Sequence, residues 1–240
     1  MYETLLALLV AHLVADFPLQ PDWMIRRKRN PAVLGLHVLI VAAITALALG
    51  GWPTTLLAIL IGTHLAMDAI KVYLLKDTLG TFTLDQVVHL AVIVALAFAF
   101  PDTLAQGWWA ALRADLAAAY LVGLCLLGGA IASLMTGAIV IRKATEPFTH
   151  QLTGDITGLE SGGTYIGWLE RALVMLLILI GQPAGVGFLI TAKSILRFGD
   201  VRDSSQRKLT EYIIIGTFMS FGWGLLVAEL TQLAMRHWMN

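Results

Sequence analysis

Residues 3–19 read ETLLALLVAHLVADFPL, an apolar run long enough for a membrane helix and broken by His12 and Asp16. A bilayer core takes about 20 mostly apolar residues as one helix. Inside it, an imidazole and a carboxylate are expensive, and such residues are functional by default. His12 and Asp16 are four apart, so a helix puts them on one face. The same pattern returns as HLAMD, His64 to Asp68, at an offset of 52 residues. His37 in LGLHVLIVA and His89 in QVVHLAVIV repeat the offset, so four of the six histidines in the chain fall into one register. Each copy reads His, then Asp four residues on, then His twenty-five after the first.

The rest of the chain is of the same kind. It is 58% hydrophobic and 13% charged with no net charge, and its mean hydropathy is +0.79. Soluble domains are nearer half apolar and a quarter charged. The composition therefore predicts an all-α, polytopic transmembrane bundle of about 7–8 helices. Zero net charge implies no nucleic-acid partner; the partner implied is the lipid bilayer. The single cysteine, Cys125, permits neither an internal disulfide nor a cysteine-based zinc site. The N-terminus lacks a basic segment and a small-residue cleavage signal, and reads as a retained helix.

Helices are expected at about 3–19, 33–50, 54–75, 85–100, 115–141, 166–182 and 208–233, with a short span or re-entrant piece at about 185–197. Arg26 to Arg29, Lys71, Lys76, Arg142, Lys143, Arg197, Arg202, Arg207 and Lys208 fall at alternate connections, while the intervening ones hold one Arg and no Lys. By the positive-inside rule both termini lie outside the cytoplasm. Trp52, Trp108, Trp109 and Trp238 mark the outer interface. The longest polar connection is 144–165. Gly123, Gly128, Gly129, Ala132, Ser133 and Gly137 read as small residues for close helix packing.

This divides the chain into residues 1–100, a tandem repeat of two transmembrane hairpins carrying the His/Asp cluster, and residues 101–240, C-terminal helices with a charged cluster. The two copies run in the same direction, which predicts a pseudo-two-fold axis along the membrane normal. Such an axis brings His12, Asp16, His37, His64, Asp68 and His89 face to face near the cytoplasmic side. Imidazole and carboxylate suit a divalent transition metal such as zinc, manganese or iron, as one or two ions. The other reading is a polar network in which each Asp accepts from the His on its own face. Asp85, one turn before His89, is a candidate general base, an orienter of a ligand histidine, a further ligand, or a helix N-terminal acid. Lys71 either binds an anionic substrate or snorkels to the surface. Glu170, Arg171, Lys193 and Arg197 make either a closed ion network with Glu211 or a basic pocket for a phosphate or lipid head group.

The segments AHLVADFPLQPDWM, HLAMDAIK, DQVVH, YIGWLER, AKSILRF and EYIIIGTFMSF together resemble the bacterial membrane-protein family catalogued as domain of unknown function 3307. The likeness spans most of the chain and is least distinctive from about 100 to 160. It implies an inner-membrane, multi-helix protein. The HxxxD helices are loosely similar to predicted membrane-bound, metal-dependent hydrolases. Three function classes stand at this point: a metal-dependent hydrolase of a phosphate-containing or lipid-like substrate, a metal-ion or proton transporter or channel using the same residues, and a non-catalytic assembly protein with a structural polar core.

Overall fold

A computed structural model describes residues 1–151, 161–198 and 207–239, and every regular element among them is helical. The helices are α1 (Tyr2–Asp16), α2 (Asp22–Arg27), α3 (Pro31–Leu49), α4 (Thr54–Leu74), α5 (Leu79–Ala99), α6 (Ala114–Ile131), α7 (Gly137–Thr149), α8 (Gly162–Leu179), α9 (Ala184–Phe198) and α10 (Arg207–Met239). A π-helical stretch, Ala132–Thr136, joins α6 to α7. Among the described residues, six helical stretches are long and apolar enough to cross a membrane: α3, α4, α5, Ala114–Thr149, α8 and α10. The chain is a multi-pass membrane-helix protein.

Two expected spans are shorter than a bilayer requires. The first helix stops at Asp16, two residues before Pro18, which has no amide N–H to continue the helical hydrogen bonds. Its 15 residues rise only ~22 Å. The helix at 184–198 has the same length. Conversely, α5 begins at Leu79 rather than 85, because Thr78 and Thr81 form a reciprocal capping box that satisfies its first amides. The expected helix at 115–141 continues through the π segment to Thr149, so it takes in the start of the polar stretch 144–165. Residues 152–160 of that stretch, and Arg202, lie outside the described residues.

The chain divides into two compact units, Met1–Ile131 with Met235–Asn240, and Ala132–Ala234. In the first, α1 packs against α3, α5 and α6, α3 against α4, and α4 against α5. Helices α1, α3, α4 and α5 therefore close a ring. Thr4, Leu8, Val10, Ala11 and His12 are all buried, and past Tyr2 no residue of α1 is fully exposed, so its neighbours cover most of its surface. A helix apolar on most sides suits an interior position. Small residues let helices approach where lipid supplies no hydrophobic drive. A methyl on Gly128 of α6 would stand 2.9 Å from Val10 Cγ2.

One end of this unit is fastened by backbone acceptors. Tyr120 donates its hydroxyl to Ala48 O at 2.6 Å and Trp109 Nε1 donates to Leu47 O at 2.9 Å. Gly50 ends α3 at φ 76°, and the amide of Trp108 donates to its carbonyl at 2.7 Å. The opposite end carries the polar cluster.

In the second unit the π stretch leaves carbonyls without partners along its own helix. Trp223 Nε1 of α10 donates to Ala132 O at 2.9 Å, and Arg171 of α8 takes those of Ser133 and Leu134.

Candidate metal centre

The near ends of the ring helices set a common depth. His37 lies six residues after Pro31, Asp68 six before Leu74, and Asp85 six after Leu79, each ~9 Å along its axis. Asp16 ends α1. His37, His64, Asp68, Asp85, His12 and His89 are all at most 5% exposed, and the side chain of Asp16 is 9% exposed. The sequence register thus brings all six of its His and Asp residues together, and Asp85 joins them.

At the centre, four donor atoms face one another. His37 Nε2 and His64 Nε2 are 3.1 Å apart. Asp16 Oδ1 lies 3.4 Å from His37 Nε2 and 3.6 Å from His64 Nε2. Asp68 Oδ2 lies 3.4 Å and 3.5 Å from the same two nitrogens. These carboxylate separations exceed the ~2.7–3.2 Å of a good N–H···O bond. Asp16 Oδ1 is buried and accepts no hydrogen bond among the described residues, and Asp68 Oδ2 is buried with the Lys28 ammonium 2.8 Å away. An ion bound tetrahedrally at ~2.0–2.1 Å by N and O donors sets its ligands about 3.3–3.4 Å apart. The five separations above, from 3.1 to 3.6 Å, bracket that edge length. His12–Asp16–His64, His37–His64–Asp68 and Asp68–Asp85–His89 each bring three donor atoms within 4.8 Å, a spacing that can hold a metal ion.

The surrounding groups fix the tautomers. His89 donates through Nδ1 to the main-chain oxygen of Asp85 at 2.7 Å, leaving Nε2 with a lone pair. That Nε2 has no partner among the described residues, nor has Asp85 Oδ1. Gln86 Nε2 donates to Asp85 Oδ2 at 3.1 Å, because a carboxylate only accepts. Its Oε1 then receives His12 Nε2–H at 3.3 Å. His12 Nδ1 accordingly turns a lone pair toward Asp16 Oδ2, 3.7 Å away. Lone pairs and carboxylate oxygens directed at one another call for a cation between them. The rings of His12 and His89 stack at 5.1 Å.

Two ammonium groups reach the cluster. Lys28 Nζ is 2.8 Å from Asp68 Oδ2 and is itself buried. Lys71 Nζ pairs with Asp85 Oδ2, and its side chain is 28% exposed. Three carboxylates against two ammoniums leave one negative charge with neutral imidazoles. The Gln20 amide nitrogen stands 3.0 Å from His37 Nε2. Lys28 and Gln20 escape a sequence reading: Lys28 counts there as one of four loop charges. The short helix α2 turns the chain so that Lys28 folds back on Asp68.

The C-terminal candidates lie in the second unit. Lys193 Nζ pairs with Glu170 Oε1 at 2.7 Å. Glu211 pairs with Arg207 on its own helix at 2.9 Å. Of the ion network expected from the sequence, the described residues show the Lys193–Glu170 pair, while Glu211 pairs with Arg207 and Arg171 turns to backbone carbonyls. Arg171, 3% exposed, donates to Ser133 O at 2.7 Å, Leu134 O at 3.0 Å and Ser220 Oγ at 2.9 Å. Its guanidinium holds the π stretch. The side chain of Arg197 lies outside the described residues.

Residues 4–113 match the family model described as "Protein of unknown function (DUF3307)". That segment holds every residue of the cluster, and the match bears out the family resemblance over this part of the chain. No curated protein and no solved structure matches the chain.

Proposed function

We propose that the N-terminal unit is an intramembrane centre for a divalent transition metal such as zinc, manganese or iron, and that the protein is a metal-dependent hydrolase of a phosphate-containing or lipid-like substrate. The observation that carries this reading is the set of four donor atoms on Asp16, His37, His64 and Asp68. The Asp16 and Asp68 oxygens each stand 3.4–3.6 Å from both His37 Nε2 and His64 Nε2, near the edge length of tetrahedral ligands and longer than the hydrogen bonds that would replace an ion. A network without metal fits less well. His37 Nε2 and His64 Nε2 at 3.1 Å can share one proton, and two protons there repel. A dication also offsets the buried carboxylate charge. A metal of this kind activates water at neutral pH and polarises a phosphoryl oxygen. The cluster's depth of ~9 Å from the helix ends suits a substrate whose head group sits at the membrane surface. Basic residues follow the ends of the helices nearest the site, which supports a bacterial inner-membrane location with the N-terminus outside the cytoplasm.

The test is a metal-stripped preparation in detergent, reloaded with zinc, manganese or iron and supplied with lipid phosphate esters. Phosphate release that requires metal and disappears in His64→Ala supports the reading. No bound metal in the reloaded protein removes its basis.

One observation favours transport instead. A narrow cavity runs from His12, His64 and His89 between Val41, Thr45, Leu60 and Thr63. It reaches about one turn from the histidines toward the far ends and has room for about one water-sized molecule, a place where an ion could pause. Metal flux into proteoliposomes that is lost in His12→Ala, without substrate turnover, selects this reading.

A further inference from the structure

Asp68 belongs to two groups of donors. Its Oδ2 faces His37 and His64 in the four-donor set, and it also stands within 4.8 Å of donor atoms on Asp85 and His89. In this second group the free atoms are those a cation takes. His89 Nε2 presents a lone pair, because Nδ1–H is held by Asp85 O. Asp85 Oδ1 is buried and accepts no hydrogen bond among the described residues. An imidazole anchored through Nδ1 to a carbonyl, with Nε2 free, has the tautomer and orientation of a metal ligand.

We infer that Asp68 bridges two unlike metal positions and that the second binds an oxyanion of the phosphate class. The first position is closed by four side-chain donors: Asp16, His37, His64 and Asp68. The second is held by three, Asp68, Asp85 and His89, and so keeps a coordination place for an outside ligand. This assignment rests on the metal-centre reading above. It makes Asp85 a metal ligand rather than a free general base, with Gln86 and His12 orienting it through the chain of hydrogen bonds to Oδ2.

The charge beside the open position identifies the ligand class. Lys71 is the most exposed charge on the centre and reaches Asp85 Oδ2 from the surface. A metal on Asp85 neutralises that carboxylate and leaves the Lys71 ammonium without its counter-charge. A ligand carrying several anionic oxygens satisfies the metal and Lys71 together. Lys28 has no such opening: it is buried on Asp68, at the closed position.

The experiment uses the full chain in detergent, stripped by chelator and loaded with cobalt(II), with inorganic phosphate as the probe. Metal content and the visible cobalt spectrum are read together. Two ions per chain are expected in the wild type, and one in Asp85→Asn and in His89→Gln. Phosphate shifts the wild-type spectrum and leaves that of Asp85→Asn unchanged. Lys71→Met keeps two ions but weakens the phosphate response about tenfold or more, the loss of one charge-assisted contact. A wild type that holds one ion, unaffected by Asp85→Asn, overturns the bridge while the four-donor centre stands. Two ions in both proteins overturn the role of Asp85. Two ions with no phosphate response overturn the oxyanion class. A wild type that binds no ion overturns both this inference and the reading beneath it.

Discussion

Replacing Lys28 with methionine removes the ammonium that stands 2.8 Å from Asp68 Oδ2 and leaves the carboxylates of the closed position short of positive charge. At an effective dielectric of about 20, two unit charges at that distance attract by roughly 6 kcal/mol. Desolvation of the lysine cancels part of this. Breaking a buried pair from one side costs about 3–5 kcal/mol, because the remaining charge is stranded. For a chain of this size that corresponds to a fall in melting temperature of roughly 6–20 °C. The fall should appear only in metal-free protein. A dication on Asp16, His37, His64 and Asp68 supplies the missing charge, so added zinc should restore most of the loss and should stabilise Lys28→Met more than the wild type. Thermal unfolding in detergent, with chelator and with zinc, measures both effects. If metal-free Lys28→Met melts within about 2 °C of the wild type, the electrostatic reasoning is wrong. If zinc rescues the wild type and the variant equally, the lysine and the metal do not share a carboxylate.

Three other outcomes are expected. Arg171→Met strands the carbonyls of Ser133 and Leu134 at about 1–3 kcal/mol each, so it should lower the melting temperature without changing metal content, as urea or thermal melts with metal analysis would show. Gly137→Ala places a methyl 2.6 Å from Trp223 Cδ1 and 3.1 Å from Arg171 Nε, and should destabilise the same region by about 1–3 kcal/mol; a wild-type melt would contradict the close approach. Metal occupancy should fall as pH drops through about 6, because the histidine ligands must be neutral to bind and imidazole ordinarily titrates near 6.5. Equilibrium dialysis across pH 5–8 reads this directly, and a flat profile would exclude histidine ligation.

The helical class and the cluster could be read from the residues because each has a local signal. Apolar runs set the spans, and histidines are rare enough that an offset of 52 residues stands out. The register supplied two carboxylates. The third, Asp85, has Val33 at the matching place in the first copy, so its position in the cluster depends on how α5 packs rather than on the repeat. Apolar composition does not separate a lipid-facing helix from a mostly covered one, so residues 3–19 read as a full span although α1 ends at Asp16. Lys28 and Gln20 act through the turn that α2 makes, and a turn of that kind leaves no charge or spacing pattern. Arg171 suggests an ion pair by its type, yet its partners are two backbone carbonyls and a serine hydroxyl. Carbonyls freed by a π stretch are invisible in a sequence, where Ala132–Thr136 reads as ordinary small-residue helix.

The closed metal position can be isolated in Asp85→Asn protein, which lacks a donor of the open one. Zinc-edge X-ray absorption of that variant in detergent should show four nitrogen or oxygen neighbours at about 2.0–2.1 Å, with the outer-shell scattering of two imidazoles and no sulfur. Protein that retains no zinc, or zinc whose spectrum lacks imidazole scattering, would contradict a metal centre on Asp16, His37, His64 and Asp68.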